Sequence, residues 1–439
     1  MAQINKDVIW RLRPGADRRF NSGHPWVYSN ELAESPKGIE PGQVVELQDA
    51  SNKFLARGYG NPASLISFRI LSKNPAEKNP LSPETLARKF GAAAKLREKV
   101  GLKDFSYRLC FAEADGLPGL IIDRYVLKAG GQAFVIQAHT AGIDRALPEI
   151  FKALELHAAE SWSKTGIVLR NDVSVRKLEG LTEHKVEVIR PLAGVDFNHV
   201  TILVASYDFK PLEFTTDLVE GQKTGFFLDQ SENIRMAATK IRPEAFGKKI
   251  RILDLCCYVG QWSTHLMKRY RDAGVEVEVV AFDASNKALE LAKKNIGGKC
   301  TAVQGDVLKD LTQFPDQSFD LIISDPPALI KGRKDIPAGI HAYMQLNTQV
   351  FRIVKVGGAV VCCSCSALLE EADFLKALAK AARRNSRTVQ WIGRGAQAAD
   401  HPMLAEFPEG HYLKAWVGIV SESGESVSAE KPGKGRNHD

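Results

Sequence analysis

The chain has 439 residues, 44% apolar and 25% charged, values of an ordinary folded protein that exclude wholesale disorder, a collagen-like repeat and a small disulfide scaffold. Lys and Arg outnumber Asp and Glu by 59 to 52, and the net charge of +7 permits a polyanionic partner without reaching histone-like density. The length suits roughly two to four domains.

No run approaches the roughly 18 apolar residues of a membrane span, and the start, MAQINKDVIW, lacks the pattern of a secretory leader. No membrane and a cytoplasmic location are therefore expected. The cysteines (Cys110, Cys256, Cys257, Cys300, Cys362, Cys363 and Cys365) are odd in number and partly adjacent, which reads as reduced thiols. Cys362 and Cys365 form a lone CxxC with no second pair, so no metal is expected.

Residues 1–73 are short apolar runs broken by turn residues, the pattern of a small β-rich domain. Arg11, Arg13, Arg18 and Arg19, with Trp26 and Tyr28 nearby, offer charges for phosphates and aromatic faces for unpaired bases; a solvated basic face beside two core aromatics is the plainer alternative. The proline-rich SKNPAEKNPLSPE then leads into a helix from about Pro83 to Val100. Residues 74–205 alternate strands (GLIIDRYV, AFVIQAH, GIVLRND) with the amphipathic IDRALPEIFKALELHAAE, giving a small central α/β domain. Residues 206–420 repeat strand then helix, which predicts a Rossmann-like parallel sheet covered by helices. Residues 421–439 are polar and expected to be disordered.

Ligands of an open α/β sheet bind beyond the carboxyl ends of its strands. The first such end, ILDLCCYVGQWS, carries Asp254 and turns at Gly260; with that single glycine it is no dinucleotide fingerprint, and it suits an adenosyl cofactor or an ordinary turn. Asp283 ends VEVVAFDAS and can accept from both hydroxyls of a ribose; Asp306 in VQGDVLKDL can reach an adenine edge. Either acid can instead cap the following helix. The fourth end, FDLIISDPPALI, holds Asp325 before two prolines that stiffen the backbone.

These four ends resemble the class I S-adenosylmethionine-dependent methyltransferases. GHPWVYSNEL, EADGLPGLIIDRY, GQKTGFFLDQ, SDPPALI, CSCSAL and AADHPMLAEFPEGHYLK, spread over nearly the whole chain, narrow the resemblance to bacterial 23S ribosomal RNA (cytosine-5) methyltransferases with an N-terminal PUA domain. The resemblance implies an α/β protein with a PUA-like RNA-binding domain, a central α/β domain and a C-terminal catalytic domain using S-adenosylmethionine on large-subunit ribosomal RNA, with a homodimer left open. It further implies that Asp254, Tyr258 and Gly260 line the cofactor loop, that Cys256 touches the cofactor through its backbone, and that Asp283 holds the ribose and Asp306 the adenine. Asp325 would face donor and base, and Gly225 to Gln230 would close over the cofactor with Gln230 as polar contact.

The implied nucleophile is Cys365. Carbon 5 of a pyrimidine attacks a methyl sulfonium only after a thiolate has added to carbon 6. Outside this pattern, a cysteine following GGAVVCC reads as core. Two departures from the family stand out: Ala328 follows Asp-Pro-Pro in place of a lysine or larger side chain, and Gln261 and Trp262 replace a glycine pair. Methylation of guanine or uracil by the same fold, and a non-catalytic RNA-binding assembly factor, are the alternatives.

Overall fold

The computed structural model describes residues 8–423, so the tail expected from 421 lies outside the described residues apart from its first three. In the N-terminal domain, β1 (Val8–Arg11), a helical turn α1 (Arg18–Asn21), β2 (Trp26–Val27), β3 (Val44–Gln48), β4 (Phe54–Gly60) and β5 (Phe68–Ser72) build a sheet of order β1-β3-β4-β5-β2. Period-two alternation along β3 sends Val45 and Leu47 into a small core with Trp10 and Phe68.

Helix α2 (Pro83–Lys99) begins where Ser82 Oγ accepts from Thr85 N and proline occupies the first turn. Its Leu86 and Phe90 share a core with the central sheet. That sheet comprises β6 (Tyr107–Phe111), β7 (Leu120–Leu127), β8 (Gln132–Ala138), β9 (Thr165–Leu169), β10 (Glu187–Arg190), β11 (Val200–Ala205) and β12 (Pro211–Thr216). Helices α3 (Ala141–Arg145) and α4 (Leu147–His157) connect β8 to β9. The strand order is β10-β9-β8-β7-β11-β12, with β6 beside β7. A boundary at residue 205 would cut the β11–β12 hairpin, whose strands pair from Val200↔Thr216 to Ala205↔Pro211, so the central sheet runs on to Thr216.

The C-terminal domain alternates α5 (Ser231–Lys240), β13 (Lys249–Leu255), α6 (Gln261–Asp272), β14 (Glu276–Asp283), α7 (Asn286–Ile296), β15 (Cys300–Gln304), β16 (Phe319–Ser324), α8 (Ile336–Ile353), β17 (Val354–Ser364), α9 (Glu371–Arg383), β18 (Arg387–Gly395) and β19 (Lys414–Glu422). The strands are ordered β15-β14-β13-β16-β17-β19-β18, and only β19 runs antiparallel to its neighbours. Helices cover both faces, so alternate residues of one strand enter different cores: Ile250 and Ile252 on one side, Leu253 and Leu255 on the other. Cys362 and Cys363 divide in the same way, as expected of packing residues. The strand order reverses at β13 and β16, which opens a crevice beyond their carboxyl ends.

Candidate active site

Asp254, Asp283, Asp306 and Asp325 all stand at that carboxyl edge. Between β13 and α6 the loop holds Cys256, Tyr258 and Gly260 at φ +59°, +48° and +77°, a left-handed run that only glycine adopts without strain. A side chain on Gly260 would also meet Ile296 of α7 at 2.8 Å, so its absence lets α6 start close against α7. Tyr258 is held there by hydrogen bonds. Tyr258 N donates to Asp283 Oδ2 at 2.9 Å, and the Tyr258 hydroxyl donates to Gly225 O at 3.0 Å while accepting from Gln222 N at 3.1 Å. The start of the segment Gly221 to Gln230 is thereby clasped to the loop.

Asp254 Oδ2 accepts from Ser263 Oγ at 2.6 Å and Ser263 N at 3.2 Å, while Oδ1 is buried without a partner. Burial, with Asp325 and Asp283 nearby, pushes its acid up to about 7. Asp325 sits at the tip of β16, where Gln230 Nε2 donates to both its oxygens at 2.9 Å and Trp262 Nε1 to Oδ2 at 3.0 Å. Burial pushes Asp325 up to about 6, with Asp229 adding to the shift and the Trp262 and Gln230 donors opposing it. Trp262 thus binds the key acid, a role that sequence reasoning did not assign to it.

Half-buried Cys365 follows β17 and faces the same loop, with Sγ 3.7 Å from Pro326 O. Tyr343 of α8 fixes its neighbours: the Ser364 hydroxyl donates to Tyr343 Oη at 2.9 Å, and the Ser366 hydroxyl lies 3.0 Å from it. Burial pushes the thiol up to about 11; Asp325 and Asp229 add to this, and Lys223 opposes it. Lys223 Nζ lies 3.0 Å from Asp229 Oδ2, which also accepts from the Tyr412 hydroxyl at 2.6 Å. Tyr343 carries no local sequence signal; Lys223, Asp229 and Tyr412 fall within GQKTGFFLDQ and AADHPMLAEFPEGHYLK, but that they form one cluster is decided only by the fold.

The remaining expected residues are less concentrated. Asp306 lies at the outer edge, with Oδ1 accepting from Leu308 N at 2.9 Å and Oδ2 2.7 Å from Lys309 Nζ, a local turn and not a helix cap, since the next helical turn begins at Asp310 with Lys309 before it. The basic cluster is divided. Arg11 is bound to Glu34 at 2.8 Å, Arg13 donates to Leu32 O at 2.7 Å, and exposed Arg19 packs on the Tyr28 ring at 4.6 Å. Arg18 is exposed. Trp26 is turned away from these arginines toward the central domain, its indole N–H donated to Glu113 at 2.8 Å.

A PUA-like domain model matches residues 11–73, and a methyltransferase domain model matches residues 246–409. The ribosomal RNA large subunit methyltransferase I of Erwinia tasmaniensis is 31% identical over 416 residues, covering 92% of this chain and 98% of that one. The chain belongs to the ribosomal RNA large subunit methyltransferase I family. The Pseudoalteromonas atlantica member is 33% identical over 417 residues with the same coverage. An S-adenosylmethionine-dependent methyltransferase structure from Streptococcus mutans superposes with a TM-score of 0.70 at 16% identity, covering 94% of this chain and 100% of that one, which is a likeness of fold. No helix among the described residues is long and apolar enough to cross a membrane.

The crevice of this methyltransferase I chain fits S-adenosylmethionine by its donor set. Asp254, Asp283 and Asp325 are partnered by hydroxyl, amide and indole groups, with no Lys or Arg side chain among the described residues hydrogen-bonded to them, and Asp254 Oδ1 has no partner among those residues. Such a set suits a ligand carrying its own sulfonium and ammonium charges. The Tyr258 clasp gives the first prediction. Tyr258→Phe removes both hydroxyl links to the overlying segment, so donor affinity measured by calorimetry falls about tenfold, the scale of one or two hydrogen bonds. Unchanged affinity would mean that the segment does not help close the site.

Proposed function

We propose that the chain forms 5-methylcytosine in 23S ribosomal RNA through a covalent adduct at Cys365. The observation that carries this reading is the position of Cys365, its Sγ 3.7 Å from the Asp325-Pro326-Pro327 loop at the switch point of the sheet. Methylation of an exocyclic amine or a ring nitrogen has no use for a thiol there, whereas carbon 5 requires one. The family to which the chain belongs supports large-subunit ribosomal RNA as substrate, and the PUA-like domain supports RNA docking through Arg11, Arg13, Arg18 and Arg19.

In this reading Asp283 holds the ribose hydroxyls, Asp254 and the Cys256–Gly260 loop hold the rest of the donor, Asp306 borders the adenine, and Gln230 closes the site from above. S-adenosylmethionine, when bound, supplies an electrophilic methyl carbon. The Cys365 thiolate adds to carbon 6 of cytosine: the sulfur–carbon bond forms, and the carbon 5–carbon 6 π electrons become available at carbon 5. Protonated Asp325 donates to ring nitrogen 3 and stabilises the charge that develops there. Carbon 5 takes the methyl group, which leaves the donor's sulfur as a neutral thioether. A base then takes the carbon 5 proton, the electrons of that bond restore the double bond, the carbon 6–sulfur bond breaks to release the thiolate, and the nitrogen 3 proton returns to Asp325.

The test is to incubate the protein with labelled S-adenosylmethionine and unmodified large-subunit ribosomal RNA, then identify the labelled nucleoside by mass spectrometry. Labelled 5-methylcytidine is expected. A labelled guanosine or uridine would overturn the base assignment, and failure to bind the donor would favour a non-catalytic assembly factor.

A further inference from the structure

Three sequence stretches that the transfer chemistry leaves unused meet in one place. Trp26 of GHPWVYSNEL, Glu113 of EADGLPGL, and Phe407 and Tyr412 of AEFPEGHYLK line a cleft of about 1120 Å³ between the three domains. It exceeds the roughly 300–1,000 Å³ of a pocket for one drug-sized ligand, so it has room for more than a single nucleoside. The three stretches are bound to one another: Trp26 donates to Glu113 at 2.8 Å, and its ring meets Phe407 edge-on with centroids 4.8 Å apart.

The cleft borders the catalytic site through two of its side chains. Lys223 and Tyr412 line it, and both are bound to Asp229, whose charge acts on Asp325 and Cys365. At the outer lip stand Leu65 and Leu178, 79% and 74% exposed, the most exposed large apolar side chains among the described residues. Apolar side chains left in water beside aromatic rings offer a surface on which flat bases stack.

The polar chemistry of the walls selects bases over phosphates. Two cations of the lining are already bound: Arg69 lies 2.7 Å from Glu179, and Arg108 lies 2.7 Å from Asp123. Half-buried Glu113 adds a carboxyl group that accepts hydrogen bonds, beside exposed Glu409. Such walls disfavour a phosphodiester backbone and favour the exocyclic amino hydrogens of adenine, cytosine or guanine.

We propose that this cleft is a second base-recognition site, which takes an unpaired RNA base next to the methylated one, stacks it against Trp26 and the Leu65–Leu178 lip, and accepts its exocyclic amino group at Glu113. The proposal rests on the RNA substrate of the preceding section. It gives the interdomain arrangement a role in choosing sequence context, with the neighbouring base anchored while the target base turns into the Cys365 pocket.

The test measures binding of fluorescein-labelled hexanucleotides of adenylate, cytidylate and uridylate to the full chain by anisotropy. The adenylate and cytidylate probes should bind about tenfold more tightly than uridylate, the scale of one base contact. E113Q should collapse that preference. The double variant L65D/L178D, which changes only exposed lip residues, should weaken all three probes by about tenfold while its calorimetric affinity for S-adenosylmethionine stays at the wild-type value. Equal affinities for the three probes, or lip variants that bind as the wild type does, would overturn the proposal. A wild-type protein that methylates ribosomal RNA yet shows no probe preference refutes this subsite alone. One that shows the preference but yields no 5-methylcytidine refutes the cytosine reading alone.

Discussion

Replacing Cys365 with alanine is expected to abolish turnover while leaving S-adenosylmethionine binding intact. The loss should be on the order of 10⁴- to 10⁶-fold, the scale reached when a covalent nucleophile is removed. Carbon 5 of cytosine has no other route to nucleophilicity, and serine in the same place has a hydroxyl far too weakly acidic to substitute. The fold should tolerate the change, because Cys365 is only half-buried and the Ser364–Tyr343–Ser366 hydrogen bonds that fix the strand tip do not involve its sulfur. A transcript containing 5-fluorocytosine makes the adduct visible: fluorine cannot leave as a proton does, so the wild-type protein should remain attached to RNA through denaturing electrophoresis and the alanine variant should not. A variant that turns over at the wild-type rate would move the reaction to an amino group or ring nitrogen.

The second large effect belongs to Asp325, and its signature is the pH profile. Burial places the acid at about 6 and the Cys365 thiol at about 11, and the reaction uses the acid protonated and the thiol ionised. Below pH 6 the acid is already protonated while the thiolate falls tenfold per unit, so kcat/KM should fall with decreasing pH. Between these two values the gain in thiolate is cancelled by the loss of protonated acid, and the profile should be level. Asp325→Asn should cost roughly 10²- to 10⁴-fold at neutral pH. Because the amide has no proton to lose in this range, its residual activity should climb tenfold per unit from pH 6 to 9. A level profile in this variant would remove Asp325 as proton donor. Trp262→Phe supplies an independent check: the lost indole hydrogen bond no longer stabilises the carboxylate, so the lower break of the profile should move above pH 6.

The acids of the site were readable because each is a local event. An aspartate at the end of a β-run such as KIRILDL or FDLIIS is carried to the sheet edge by the strand itself, and alternation of strands and helices forces those edges to the same side. The closing segment was readable, as Gly225 to Gln230, only through its likeness to the family, since nothing local to it shows that Tyr258, more than thirty residues on, will hold its start.

Sequence by itself determined the three-domain order, the parallel sheet and the acids at its carboxyl edge, set by periodicity and by residues adjacent in the chain, while Cys365 stood out from a core cysteine only through the resemblance to the family. Tertiary structure alone decided how those groups behave. Trp262 and Gln230 reach Asp325 from 63 and 95 residues away, and Trp26 reaches Glu113 across 87. The same long-range packing turns Trp26 from the arginines to the interdomain cleft, extends the central sheet to Thr216, and sets the protonation of Asp325 and Cys365, because the cost of holding charge depends on the water excluded by neighbours that only the fold brings together.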